Sequence, residues 1–198
     1  MKNYFDTVKK QLENYNHLGE QILQDRTLLI GKAPHIAPKA WLHGIYKPLS
    51  NDEVEKLEYD MQLKIPSDYK FFLTNYSNGL NIFVDVFSLD GFRKRSSRNI
   101  EDAYQPYSII NPNTKERLED AEADMFFIGG YNWDGSLLYM KNGKAYRCSS
   151  ENIKPLNTWD SFEKMLLTEI NRICLLYDKN GVEIEAEKPT VPSPFFPY

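Results

Sequence analysis

The stretch Leu137-Leu138-Tyr139-Met140-Lys141-Asn142-Gly143-Lys144-Ala145-Tyr146-Arg147-Cys148 places Asn-Gly between two runs of strand-forming residues. Asn-Gly accepts the positive φ angles of a two-residue hairpin turn, whose twist matches that of the strands it joins. The stretch predicts a hairpin in which Tyr139 faces Tyr146 and Leu137 faces Cys148. Upstream, residues 125–128 (Met-Phe-Phe-Ile) and 82–89 (Ile-Phe-Val-Asp-Val-Phe-Ser-Leu) read as further strands. In the latter, alternation puts Ile82, Val84 and Val86 on one face and Asp85 on the other, beside Phe83 and Phe87.

Helical signals surround these strands. Ser50-Asn51-Asp52-Glu53 is a capping box, in which the Ser hydroxyl takes one orphan N–H and the Glu reaches back. Val54, Leu57 and Met61 follow on one face. Asp52, Glu53, Glu55, Glu58 and Asp60 read as a solvated acidic face. A second helix follows Ile65-Pro66-Ser67-Asp68, with Pro66 near its start and Ser67 able to cap it. Tyr69, Phe72, Leu73 and Tyr76 share a face there, and Asn78-Gly79 ends it. A closing helix starts at Asp160-Ser161-Phe162-Glu163 with Asp160 in the cap position. Its stripe is Phe162, Met165, Leu166, Ile170, Ile173, Cys174 and Tyr177.

The first 30 residues read as helix through Phe5, Val8, Leu12, Tyr15, Ile22 and Leu23, until Pro34 and Pro38 break the pattern. Residues 90–124 read as a long excursion with some helix around 114–121. It carries a basic patch (Arg93, Lys94, Arg95, Arg98) and an acidic one (Glu116, Glu119, Asp120, Glu122, Asp124). The four prolines after Lys188 predict an extended tail. Its Phe195, Phe196 and Tyr198 are either pinned on an apolar surface or offered to a partner.

The expected organisation is an N-terminal helical arm and connector (1–40), an α/β domain (41–180) and a Pro-rich tail (181–198). The fold class is α+β, with a central antiparallel or mixed sheet packed by helices. The 198 residues suffice for one core, and 41% hydrophobic with 26% charged residues is ordinary globular composition. A net charge of −4 argues against nucleic acid as a partner. The opening residues lack the apolar core of a signal peptide, and no run reaches membrane-spanning length, so a cytoplasmic protein without membrane contact is expected. Asn75-Tyr76-Ser77, a glycosylation pattern, carries no meaning there.

The order Trp41, Pro48-Leu49-Ser50, Glu53, Glu58, Leu63-Lys64-Ile65-Pro66-Ser67-Asp68-Tyr69-Lys70, Phe72-Leu73, Asn78-Gly79 resembles the opening signature of the Smi1/Knr4 (SUKH) family. Phe127-Ile128-Gly129-Gly130, Asp134-Gly135, the Leu-Leu-Tyr strand, Trp159 and Ser161-Phe162 resemble its later elements. The resemblance covers roughly residues 41–177, with Ile65 where the family often has Leu. It implies a SUKH-like fold. By analogy it implies an immunity protein that binds and blocks a cognate toxin, often a nuclease, or else a regulatory scaffold for a cellular partner.

Catalytic patterns are missing from the sequence: it has no Walker A loop, GxGxxG, HExxH or GxSxG. The cysteines, Cys148 and Cys174, form no CxxC pair, and His17, His35 and His43 show no ligand spacing, so no cofactor or metal is expected. The acids allow a carboxylate-based hydrolase as the remotest alternative. The expected activity is therefore binding without catalysis. Candidate contacts for a basic toxin are Asp85, Asp90, Glu119, Asp120, Glu122, Asp124, Tyr131, Trp133 and Asp134. Asp85 reads either as a contact in a concave surface or as a solvent-facing strand residue. Asp134, before Gly135, reads either as a turn residue or as a contact.

Overall fold

The computed structural model describes residues 4–94 and 103–194. Chain order is α1 (Tyr4–Glu13), a 3-10 turn (Asn16–Leu18), β1 (Glu20–Ile22), β2 (Leu28–Lys32), β3 (Trp41–Ile45), α2 (Asn51–Met61) and α3 (Ser67–Asn75). It continues with β4 (Leu80–Ile82), β5 (Phe87–Leu89), α4 (Ile110–Asn113), β6 (Phe126–Tyr131), β7 (Leu137–Lys141), β8 (Lys144–Cys148), β9 (Pro155–Trp159) and α5 (Phe162–Cys174). The strands form one nine-stranded antiparallel sheet in sequential order, and the fold is α+β. No described helix is long and apolar enough to cross a membrane.

The β7–β8 hairpin has the predicted register, Tyr139 opposite Tyr146 and Leu137 opposite Cys148. The capping box at Ser50 is complete: Glu53 N–H donates to the Ser50 hydroxyl and Ser50 N–H to the Glu53 carboxylate. The acidic face of α2 is not wholly solvated. Glu58 is buried and accepts from Lys64 Nζ at 2.7 Å, Lys70 Nζ at 3.1 Å and Ile65 N at 3.1 Å, which ties α2 to the start of α3.

Several expectations are corrected. The N-terminal helix stops at Glu13, and residues 20–32 form two strands of the same sheet. Gly19 (φ 123°) and Arg26 (φ 71°) turn the chain where a helix would have to continue. Ser67 is the first helical residue of α3 and makes no cap bond. The cap of α5 is Ser161, whose hydroxyl accepts from Lys164 N, while Asp160 pairs with Lys144 and Lys164. The excursion's short helix, α4, precedes residues 114–121, which form turns.

Residues 82–89 are not one strand. They are the end of β4, a four-residue turn and β5, with Ile82 opposite Phe87. Phe83, Val84 and Asp85 have φ of 48°, 51° and 72°, a left-handed run that L side chains resist, Val most of all. Asn81 holds the turn: its side-chain oxygen accepts from Asp85 N at 2.8 Å and its amide donates to the Asp85 carboxylate.

One face of the sheet carries the main core. Phe5 of α1, Tyr69 and Phe72 of α3 and Phe162 of α5 pack on one another edge-on, stacked or tilted, in one core cluster with Phe87, Leu89, Ile128 and Leu138. The opposite face is covered in part by the excursion, where Leu118 and Ala121 pack on Met125, Phe127, Tyr139 and Cys148. The remaining open part of that face positions the candidate site. Arg95, Arg98, Phe195, Phe196 and Tyr198 lie outside the described residues.

Candidate functional site: an acidic hollow on the open face of the sheet

The site is built at the meeting of β5, β6 and the start of β7. The side chains of Phe87, Leu89, Tyr131 and Leu138 point into the core, so the alternating positions Ser88, Gly130 and Leu137 face the other way. Gly129 (φ 147°) and Gly130 leave the backbone bare there, forming the floor of a hollow of about 320 Å³. A bulge between Phe127 and Gly129 in the β6–β7 pairing accompanies this floor.

The excursion supplies one wall: Tyr107, Ser108, Asn111, Pro112 and Glu116. Gly91 N donates to the Tyr107 carbonyl at 2.9 Å and Ile109 N to the Gly91 carbonyl at 3.0 Å. Buried Asn113 pins the same segment to β6, accepting from Phe127 N at 2.9 Å and donating to the Phe127 carbonyl at 2.8 Å. The left-handed turn supplies the second wall. Its Asp85 accepts from the Tyr107 hydroxyl at 2.6 Å, so the turn and the excursion brace each other across the rim.

Asp90, at the end of β5, is 8% exposed. Its backbone is fixed: Asp90 N donates to the Ile128 carbonyl at 2.8 Å, and the Tyr69 hydroxyl lies 2.5 Å from the Asp90 carbonyl and 3.1 Å from that of Ile128. Its carboxyl lines the hollow and accepts no hydrogen bond from any described residue. Burial, and then the neighbouring Glu116 charge, push that carboxyl up to about 7. Asp85, Asp90 and Glu116 thus converge on one hollow, and no Lys, Arg or His is among its described lining residues.

A family model, the SMI1 / KNR4 family (SUKH-1), matches residues 48–168, more than half of the chain. The chain belongs to the SMI1/KNR4 family. No curated protein is similar enough to this chain to count as a relative. The SUKH-1 match spans α2 through the first part of α5 and so includes the whole lining of the hollow. The tyrosine of the Ile-Pro-Ser-Asp-Tyr motif, Tyr69, is the residue under Asp90. A SUKH scaffold residue therefore sets the backbone of a site residue from beneath.

The structure divides the residues singled out in the sequence into separate places. Asp85, Asp90 and Tyr131 line the hollow. Tyr131's hydroxyl is turned inward, donating to buried Glu169 at 2.8 Å, and burial followed by that carboxylate raises its pKa well above the ordinary range. The β6–β7 loop separates the hollow from a second concavity of about 790 Å³, where Trp133, 45% exposed, and Asp134 lie. Asp134 accepts from Ser136 N at 3.0 Å and from the Arg147 guanidinium. Burial pushes the Asp134 carboxyl up, but the Ser136 hydroxyl and N–H and then Arg147 outweigh it and hold it below the usual range.

Arg147, 3% exposed, also donates to Ser136 Oγ (2.7 Å), Asn157 Oδ1 (3.0 Å) and the Pro192 carbonyl (2.9 Å). Together with Arg172 on the Thr190 carbonyl and Asn157 on the Ser193 carbonyl, it straps residues 190–193 along the second concavity. Asp120 accepts from Ile153 N, Glu122 and Asp124 pair with Lys141 at 2.7 and 3.5 Å, and Glu119 is exposed; none of these lines either hollow.

Tyr107, Ser88, Asn111 and the bare Gly129-Gly130 floor were not singled out as contacts. The Gly-Gly pair was the available signal: glycine where a Cβ would strike a neighbouring backbone marks a close strand approach. His43 is buried between Tyr15 and Phe83, with Nδ1 3.4 Å from Phe83 N, whereas His35 is exposed.

Proposed function

We propose that this SMI1/KNR4 protein is a non-catalytic immunity protein that neutralises a cognate toxin by binding it through the acidic hollow. The observation that carries this reading is the convergence of Asp85, Asp90 and Glu116 on one concave surface with no cation among the described lining residues. Acids that serve the fold of this chain are paired, as Glu58, Glu169 and Asp134 are. The acids of the hollow have neutral donors at most, Asn81 and Tyr107 on Asp85 and Asn111 on Glu116, so their charge is left to suit a basic partner, whose encounter their field would steer. Exposed Trp133, on the loop dividing the two concavities, offers an apolar anchor beside that charge. Family membership supports a protein partner and the immunity role. A basic nuclease is the toxin class such a surface fits.

Co-expression tests this. The neighbouring gene that encodes the candidate toxin is induced with and without this one. Restored growth together with co-purification of the two products is the expected result. Undiminished killing by that neighbour in the presence of this protein is the contrary one, and it would favour the scaffold role.

A further inference from the structure

We propose that the hollow is a receptor for a single arginine side chain of the partner, with Asp90 as its buried acceptor. The inference rests on the partner-binding reading and adds the chemistry of the contact. Asp90 is 8% exposed, and its carboxyl opens onto the hollow and accepts no hydrogen bond from any described residue, an arrangement that favours a partner able to complete it. What would complete it is set by the surroundings. Two further carboxylates, Asp85 and Glu116, line the same space. The ligand is therefore a cation.

The walls select its shape. Pro112 and Leu137 offer apolar contact for a methylene stem, and the Gly129-Gly130 floor has no side chain to obstruct it. Glu116 on the excursion and Asp90 at the end of β5 provide acceptors from two different elements. A guanidinium has five N–H donors in a fixed planar fork and stays protonated, so it serves several carboxylates at once; a lysine ammonium is a compact point charge that would leave part of this acceptor set unmet. The Tyr107 hydroxyl already donates to Asp85, which keeps that wall in place before any ligand arrives.

A proton enters the account as a consequence. Asp90 faces Glu116 and Tyr107 of the excursion, Asp85 of the turn, Tyr69 of α3 and Tyr131 of β6, and with no cation beside it its carboxyl is protonated for much of the time near neutrality. An entering guanidinium holds it ionised, so binding releases a proton below about pH 7 and weakens as the pH falls.

The probe is N-acetyl-arginine N′-methylamide, with the neutral citrulline analogue as control, titrated into the full chain at pH 7.5 while carboxyl-carbon and Tyr ring resonances are followed. Saturable shifts of Asp90, Glu116 and Tyr107, with a Kd on the order of 1 mM, are expected from the arginine probe alone. Asp90→Asn should weaken binding about tenfold or more, and Glu116→Gln, at an exposed position, by a smaller factor. The Asp90 titration midpoint should fall by about one pH unit or more in saturating probe. No saturable change at the hollow, equal shifts from the citrulline analogue, or undiminished binding by Asp90→Asn would each overturn the proposal. Failure of growth rescue would sink the toxin reading without altering this titration, and a blank titration would sink the arginine receptor without altering rescue.

Discussion

Replacing Asp90 by Asn should make the protein more stable at pH 8 and leave it nearly unchanged at pH 4. The folded-state carboxyl titrates at about 7 against an ordinary value of 3.8. A carboxyl raised in this way contributes stability below its unfolded value and loses it as the pH climbs through the folded one. At ~1.4 kcal/mol per pH unit, a gap of roughly three units amounts to about 4 kcal/mol. Asn is neutral at every pH and keeps the shape. Urea midpoints of the two proteins should coincide near pH 4 and separate steadily up to about pH 7. Parallel pH profiles would show that Asp90 is ordinary in the fold and would remove the reason to call it strained for a ligand. The gain in stability comes with lost binding, as at sites whose groups are kept for function against the interest of the fold.

Gly129→Ala should cost about 3 kcal/mol or more. A Cβ built there lies 2.1 Å from the Ser88 carbonyl oxygen and 2.9 Å from Leu89 Cα, both backbone atoms of the paired strand, and the residue has φ 147°. No rotamer relieves such a contact; β5 and β6 would have to part, breaking the ladder that carries Phe87, Leu89 and Tyr131 into the core. For a chain of this size that is a fall of ~6–12 °C in Tm. Gly143→Ala at the β7–β8 turn is the control. Its φ of 75° also favours glycine, but nothing lies within 4 Å, so a loss of only about 1 kcal/mol is expected. Equal losses in the two variants would mean that β5 and β6 are not packed as closely as described.

The sequence is readable where local chemistry alone decides the conformation. Asn142-Gly143 fixes a two-residue turn and hence the register of ten residues; Ser50 and Glu53 fix a helix start. It misleads where side chains from elsewhere override the local pattern. Residues 82–89 alternate like a strand, but Asn81 substitutes for backbone partners and stabilises three left-handed residues, folding the run into a hairpin. Residues 20–32 carry helically spaced apolar side chains, yet Gly19 and Arg26 turn the chain so that β1 pairs with β2 and β2 in turn with β3. β9 begins at a proline, which is tolerated because the strand lies at the sheet edge.

The same division holds at the site. Asp85 and Asp90 stood out because acids among apolar residues are conspicuous, and both line the hollow. Tyr107 and Glu116 sit in a polar excursion of mixed composition. The pinning of Asn113 on Phe127, with the Gly91 backbone bonds to Tyr107 and Ile109, brings that wall to the glycine floor. Asp134 looked like a contact and is bound to Arg147, whose partners come from the sheet and from the tail.

The most direct test of the central claim is the affinity of this protein for the partner that co-expression identifies, with and without the charge of the hollow. Glu116→Lys combined with Asp90→Asn removes two of its acids while leaving Asp85 and the turn intact. Titration calorimetry at pH 7.5 should show Kd weakened by about 100-fold or more, with growth rescue lost and the far-UV spectrum unchanged. An affinity and a rescue equal to those of the unaltered protein would place the interface elsewhere and contradict the account.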